Sequence, residues 1–553
     1  MPNIIITMNK RTLILNGLLS ALYACQTTPD PIGSEAQIDS THLAQHIEQL
    51  ASDEFQGRKP FTIGEEKTVA YLKTELADMG LEPGNGDSYF QEVPLVEINA
   101  VPDSIMTVRH GNEQRNLHYR KDYVALTRRV TDRIDIEQSE LVFCGFGIVA
   151  PEYGWNDYEG VDMAGKTAVV LVNDPGFGSS DSSLFKGNTM TYYGRWTYKY
   201  EEAARQGAEG VLIVHNTAPA GYPWGVVQSS WAGKALYLQS EDNNRSRCAL
   251  EGWISQEAAR ELFALADIKN YLGQARQAGF RPIPMGAFIG LSMRVSAEKA
   301  TSRNVIAQRK GTQRPDEYVI YSAHWDHLGV GEPIDGDSIY NGALDNATGT
   351  AVLLEIARAF AQSEEKPARS VAFLFVTAEE QGLLGSEYYG QHPVYPLEKT
   401  VANINLDGIQ FRGPMNDLTV VGYGQSELDD YAQQAAEAQG RYIKPDPNAE
   451  KGYFFRSDHF SFAKVGVPAL YASGEYDQAT HGPEWTKEQS DAWISENYHQ
   501  PSDEYISGEW KFGAMVQDAQ LLFAIGYRLS NETTFPKWKA GSEFKATREA
   551  YHP

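Results

Sequence analysis

The stretch Tyr318-Val319-Ile320-Tyr321-Ser322-Ala323-His324-Trp325-Asp326-His327 decides how this chain reads. Tyr318 to Ala323 is an apolar, β-branched and aromatic run of strand length, and imidazoles and a carboxylate follow at once. The pattern recurs downstream. Val371 to Thr377 runs into Glu379-Glu380, Val401 to Leu406 runs into Asp407, and a fourth apolar run covers Ala469 to Ala472. A helical segment, Thr348 to Ala361, separates the first two runs. Strands alternating with helices predict an α/β fold, a mostly parallel twisted sheet flanked by helices. Ligands of such sheets sit beyond the carboxyl ends of the strands. His324, Glu379, Glu380 and Asp407 are therefore expected on one edge. Asp345 joins them, in Leu344-Asp345-Asn346-Ala347-Thr348-Gly349, where a helix should begin. A later loop offers Tyr498-His499, followed by Gln500-Pro501-Ser502-Asp503.

These residue types suit a metal. Zinc takes imidazole nitrogen and carboxylate oxygen, and two metals can share a bridging carboxylate. Without cations, carboxylates crowded at one edge would repel one another and resist ionisation. Each signal also has a structural explanation: Asp345-Asn346 could cap a helix, Glu379-Glu380 could be solvated surface, and a lone His could simply hydrogen-bond. Their joint arrival at successive strand ends favours the site. No cysteine cluster competes for a metal. There is also no nucleophile elbow and no Cys-His pairing.

The phrases "SAHWDHLG", "GALDNATGTAVLLEIAR", "FLFVTAEEQGLLGS", "NINLDGI" and "NYHQPSDEY" together resemble the two-zinc exopeptidases, the family of bacterial leucyl aminopeptidases and glutamate carboxypeptidases. The resemblance covers about residues 300 to 530 and a helical entry segment near residues 41 to 80. It implies the zinc exopeptidase fold and two zinc ions per chain. His324 and Asp407 would bind one ion, Glu380 and His499 the other, and Asp345 would bridge both. Glu379 would be the general base, Asp326 would orient His324, and Tyr498 would donate to the developing oxyanion. Arg456 would help hold the substrate. The implied reaction is removal of N-terminal amino acids from peptides. A carboxypeptidase or dipeptidase shares the metal site, a glutaminyl cyclase shares the core, and a non-catalytic binding homologue would be expected to have lost ligands.

The remainder of the 553 residues is too long for one core. Gly165-Lys166 leads into the strand Thr167 to Val172, a helix is predicted over residues 200 to 208, and Gly210 to Val214 is a second strand. Strand, crossover helix and strand suggest a small α/β module. "GKTAVVLV" and "KYEEAARQGAEGVLIV" resemble a protease-associated domain, which would shape substrate access and carry no chemistry. The expected division is 1–25 signal peptide, 26–40 polar tether, 41–129 packing with the catalytic domain, 130–285 insert, 286–535 catalytic domain and 536–553 C-terminal tail.

Lys10 and Arg11 precede an apolar stretch, Leu13 to Ala24, that is too short to span a bilayer and reads as an export signal. Leu22-Tyr23-Ala24-Cys25 resembles a bacterial lipoprotein signal, which would lipidate Cys25 and attach the protein to a membrane. The expected location is periplasmic or outer-membrane, with plain cleavage and secretion as the alternative. The remaining cysteines, Cys144 and Cys248, could pair or stand free. A formal net charge of −25 repels phosphate backbones and excludes a nucleic-acid partner. Peptides are the expected partners. Nothing in the sequence sets the oligomeric state.

Overall fold

The structure, a computed structural model, describes residues 37–552 apart from Ser182 and Ala232. The expected signal peptide with Cys25, and most of the tether, lie outside the described residues. Two helices open the chain. In α1 (Ser40–Leu50) the buried positions Leu43, His46, Ile47 and Leu50 fall on one face at helical spacing, and the Asp39 side chain accepts from Thr41 N. In α2 (Ile63–Asp78), Val69, Leu72 and Leu76 are buried and Thr62 caps the start. The turn between them is tight. Gly57 has φ 62°, and a Cβ there would meet Tyr340 O at 2.3 Å, so the close approach of the two backbones needs glycine.

The chain then builds a second unit. β1 (Phe90–Pro102) leads to β2 (Tyr123–Leu126) and β3 (Arg133–Phe143). β4 (Lys166–Leu171), α3 (Trp196–Arg205) and β5 (Gly210–Val214) form the expected strand–helix–strand module. β3, β4, β5 and β6 (Leu250–Ile254) lie parallel in that order, and β2 closes the edge antiparallel to β6. One very long strand, β7 (Ile283–Arg309), returns to the main domain. It pairs first with β3 and then with β1.

The main sheet follows as β8 (Arg314–His324), α4 (Thr348–Gln362), β9 (Arg369–Val376), α5 (Leu384–Gln391), β10 (Thr400–Asn405), β11 (Asp417–Val421), α6 (His459–Lys464), β12 (Ala469–Ser473), α7 (Gly482–Glu496) and α8 (Gly513–Asn531). β9, β8, β10 and β12 are neighbours and parallel. β7 and β11 flank them antiparallel. Side chains alternate across the sheet. Val319, Tyr321 and Ala323 of β8 join the core with α4 and α8, while Ile320 faces Tyr389 and Phe462 on the other side. Both faces are covered, as a parallel sheet requires.

The division of the chain differs from the expected one in two places. The second unit's core runs from Val96 to Val295 and includes Tyr123 and Ala125, so residues 96–126 pack with the insert and not with the catalytic domain. Alternating apolar residues mark a strand but do not name its partner sheet; the β2–β6 ladder does. The C-terminal segment is also no loose tail. Trp538 and Phe544 are buried against Phe454 and Phe460, and Arg548 donates to the carbonyls of Leu397 and Thr400. Cys144 and Cys248 are buried and unpaired. No helix among the described residues is long and apolar enough to cross a membrane.

Candidate metal centre

Parallel strands bring their carboxyl ends to one edge, and the ligand-type side chains collect there. His324 ends β8, Glu379 and Glu380 follow β9, and Asp407 follows β10. Asp345 lies in the turn into α4, and His499 in the loop after α7. His324 Nε2 lies 3.4 Å from Asp345 Oδ1 and 3.3 Å from Asp407 Oδ1. His499 Nε2 lies 3.2 Å from Asp345 Oδ2 and 3.1 Å from Glu380 Oε2. Asp345 thus has one oxygen in each of two triads. A ring nitrogen carries at most one proton, yet each Nε2 faces two carboxylate oxygens. A cation between the three donors satisfies all of them at once, and nitrogen and carboxylate oxygen are donors that zinc takes. Glu379 stands with His324 and Asp407, and His327 stands with Asp345 and Glu380; both sets of donor atoms lie within 4.8 Å of one another.

The loops that carry these groups are stitched together. Asn346 Nδ2 donates to Leu406 O, and its Oδ1 accepts from Gly349 N and Gly408 N, which ties the Asp345 turn to the Asp407 loop. Thr350 donates to His324 O. Asp503 accepts from Leu344 N at 2.9 Å and from Asp345 N at 3.1 Å. Ser457 donates to Asp407 Oδ2 at 2.7 Å. Asp326 Oδ1 accepts from Glu379 N at 3.0 Å and lies 3.8 Å from His324 Nδ1. It therefore touches the backbone of Glu379 more closely than the imidazole it was expected to orient.

Residues 304–524 match peptidase family M28. That stretch is a family M28 domain. Aminopeptidase NAALADL1 of Mus musculus is 39% identical over 137 residues, 23% of this chain and 17% of that protein's length. A probable leucine aminopeptidase 2 of Aspergillus oryzae (strain ATCC 42149 / RIB 40) is 24% identical over 557 residues, 98% of this chain and 95% of that one. Among solved structures, an aminopeptidase from Aneurinibacillus sp. strain AM-1 aligns with a TM-score of 0.48 at 20% identity, covering 90% of this chain and 95% of that one.

Electrostatics in the M28 domain follow from crowding. Burial resists charge on His324, but Glu379 and Asp407 override it and raise its pKa well above the ordinary imidazole range. His499 behaves alike: burial opposes the proton, while hydrogen bonds to Asp345 and Glu380 lift it to about 10. Burial and Asp345 would raise Glu380, yet His327 and His499 pull it down to about 2. Glu379 goes the other way. Burial raises it well above the ordinary range; His324 opposes this, and Glu380 and Asp407 reinforce it. The carboxylates demand positive charge, which protons or divalent cations can supply.

Tyr498 stacks on His499 with ring centroids 3.9 Å apart. The residue is 46% exposed, yet desolvation around its phenol oxygen and the charges of Asp345 and Glu380 hold it protonated, so it remains a donor. The Arg456 side chain turns to its own loop. It is exposed, donates to Lys451 O at 2.7 Å and lies over the Tyr453 ring. Three residues that sequence reasoning gave no role belong to the site's framework: His327, Asp503 and Arg58. The guanidinium of Arg58 donates to the carbonyls of Trp325, Asn341 and Gly342. His327 and Asp503 sit within the motifs; Arg58 carries no local signal at all.

Proposed function

We propose that the chain is a zinc aminopeptidase that holds two metal ions and removes residues from the N-termini of peptides. The carrying observation is Asp345, with one oxygen facing His324 and the other facing His499. His324, Asp345 and Asp407 would hold one ion, and His499, Asp345 and Glu380 the other. The ions would supply Lewis-acid polarisation of the scissile carbonyl and acidify the attacking water. Glu379 takes the water's proton and returns it to the leaving amine. Tyr498 donates to the oxygen on which negative charge develops. Glu379 and Asp407 are the carboxylates that would receive a substrate ammonium beside the ions. Arg456, the basic residue expected to hold the substrate, bonds its own loop instead.

The test is a hydrolysis panel of free and N-acetylated peptides, with and without a chelator. Free peptides should lose N-terminal residues, and the chelator should abolish this. Acetylation removes the amine's charge and donors, and should cost on the order of 10–100-fold in kcat/KM. Equal cleavage of acetylated peptides, with residues released from the C-terminus, would make the enzyme a carboxypeptidase. Export and lipid attachment at Cys25 remain part of this proposal. The mass of the N-terminal peptide from cell-derived protein checks both: a diacylglyceryl-modified Cys25 supports them, and an intact leader refutes them.

A further inference from the structure

His327 shares a turn with His324 and Asp326 but faces another way. It is fully buried, and its Nδ1 lies 2.5 Å from Glu380 Oε1, a close contact out of hydrogen-bond alignment. The other oxygen of the same carboxylate, Oε2, faces His499 Nε2 at 3.1 Å. Two imidazoles therefore divide the two oxygens of Glu380 between them. The ring of His327 is seated with little freedom. It lies against Gly342, where a Cβ would stand 2.4 Å from its Cγ. Gly342 O is held by Arg58 Nη2 at 2.8 Å, and Trp325 O, in His327's own turn, by Arg58 Nε at 2.9 Å. Neither ring nitrogen of His327 makes an aligned hydrogen bond among the described residues, so apart from the Glu380 contact no network explains the imidazole.

We infer that His327 is a positioning residue that holds Glu380 by Oε1 and presents only Oε2 to the metal formed with His499 and Asp345. A carboxylate free to rotate could offer both oxygens to one ion, spreading the charge and changing the coordination number. Steadied from behind, Glu380 is restricted to one oxygen. Partners that orient a metal ligand in this way are typically worth 10–100-fold in metal affinity.

The inference rests on the two-metal reading, and one experiment separates the two. Metal-free protein is titrated with Zn²⁺ against a chelating chromophore, for the wild type, His327→Leu and His327→Asn. Leucine fills the seat without a donor, while the Asn side-chain nitrogen stands where Nδ1 does. Wild type should show two sites. His327→Leu should keep one at wild-type affinity, which also reports an intact fold, and weaken the other 10–100-fold. His327→Asn should restore that site to within about threefold. Two unchanged sites in His327→Leu would overturn the inference. So would failure of Asn to rescue together with zinc X-ray absorption that counts three imidazoles over two ions, because His327 would then be a ligand itself. No zinc bound to the wild type would instead overturn the proposed function.

Discussion

Arg58 lies far from the ligand residues in sequence, yet its removal should cost both stability and metal. The side chain is 1% exposed, and its guanidinium donates to four carbonyls. Nε reaches Trp325 O at 2.9 Å, Nη1 reaches Leu50 O and Asn341 O at 2.6 Å each, and Nη2 reaches Gly342 O at 2.8 Å. Burial lowers its pKa from 12.5 to about 10, against the pull of Asp503 and Asp326, so it stays charged at neutral pH. That depression corresponds to roughly 3 kcal/mol spent on keeping the charge inside. Arg58→Met keeps the stem and removes every donor. Four buried carbonyls then lose a donor at about 1–3 kcal/mol each, which outweighs the relieved charge burial and nets to roughly 1–9 kcal/mol. Urea unfolding at neutral pH measures this loss. Leu72→Ala is the control: Leu72 is 0% exposed in α2, and its truncation should cost about 2–5 kcal/mol without touching the ligand turns. Zinc affinity should fall about 10–100-fold in Arg58→Met and hold in Leu72→Ala. A loss below about 1 kcal/mol in Arg58→Met, or equal weakening of zinc by both variants, would refute the reasoning.

Glu379→Gln should keep most of the metal and lower kcat by roughly 10²–10⁴-fold, whereas Glu380→Gln should chiefly weaken metal binding; exchanged phenotypes in a zinc titration and a rate assay reverse the two roles. Asp503→Ala removes the acceptor for Leu344 N and Asp345 N and should weaken zinc about 10–100-fold, read by the same titration, with unchanged affinity counting against it. Burial lowers the pKa of His46 from 6.5 to about 4. Below pH 6.5 the unfolded chain takes up this proton and the folded chain does not until about pH 4. Stability from His46 is therefore whole above pH 6.5 and is lost as pH falls through that window. Between those limits the wild type should lose up to about 3 kcal/mol more than His46→Gln, and parallel urea midpoints for the two proteins would disprove it.

The local pattern of the sequence determined the strands of the main sheet and the residues at their ends. Strand polarity does this: once β8, β9 and β10 are read as parallel, whatever follows each strand must meet at one edge. Hence His324, Glu379, Glu380 and Asp407 were legible together, and Asp345 and His499 came with their motifs. Apolar spacing likewise marked α1, α2 and the β4–α3–β5 module, because burial of one face imposes its period on any chain. Only the tertiary structure decided which oxygen faces which nitrogen. It also decided that residues 96–126 belong with the insert, that Trp538 and Phe544 anchor the C-terminal segment, and that Arg456 bonds its own loop. Arg58 shows the physical reason. Its partner Trp325 is 267 positions away, and a side chain bonding to backbone carbonyls leaves no trace in the identity of the residues it holds. Periodicity reports what a residue does to its own element; the groups that aim the ligands act between elements, and folding alone brings them together.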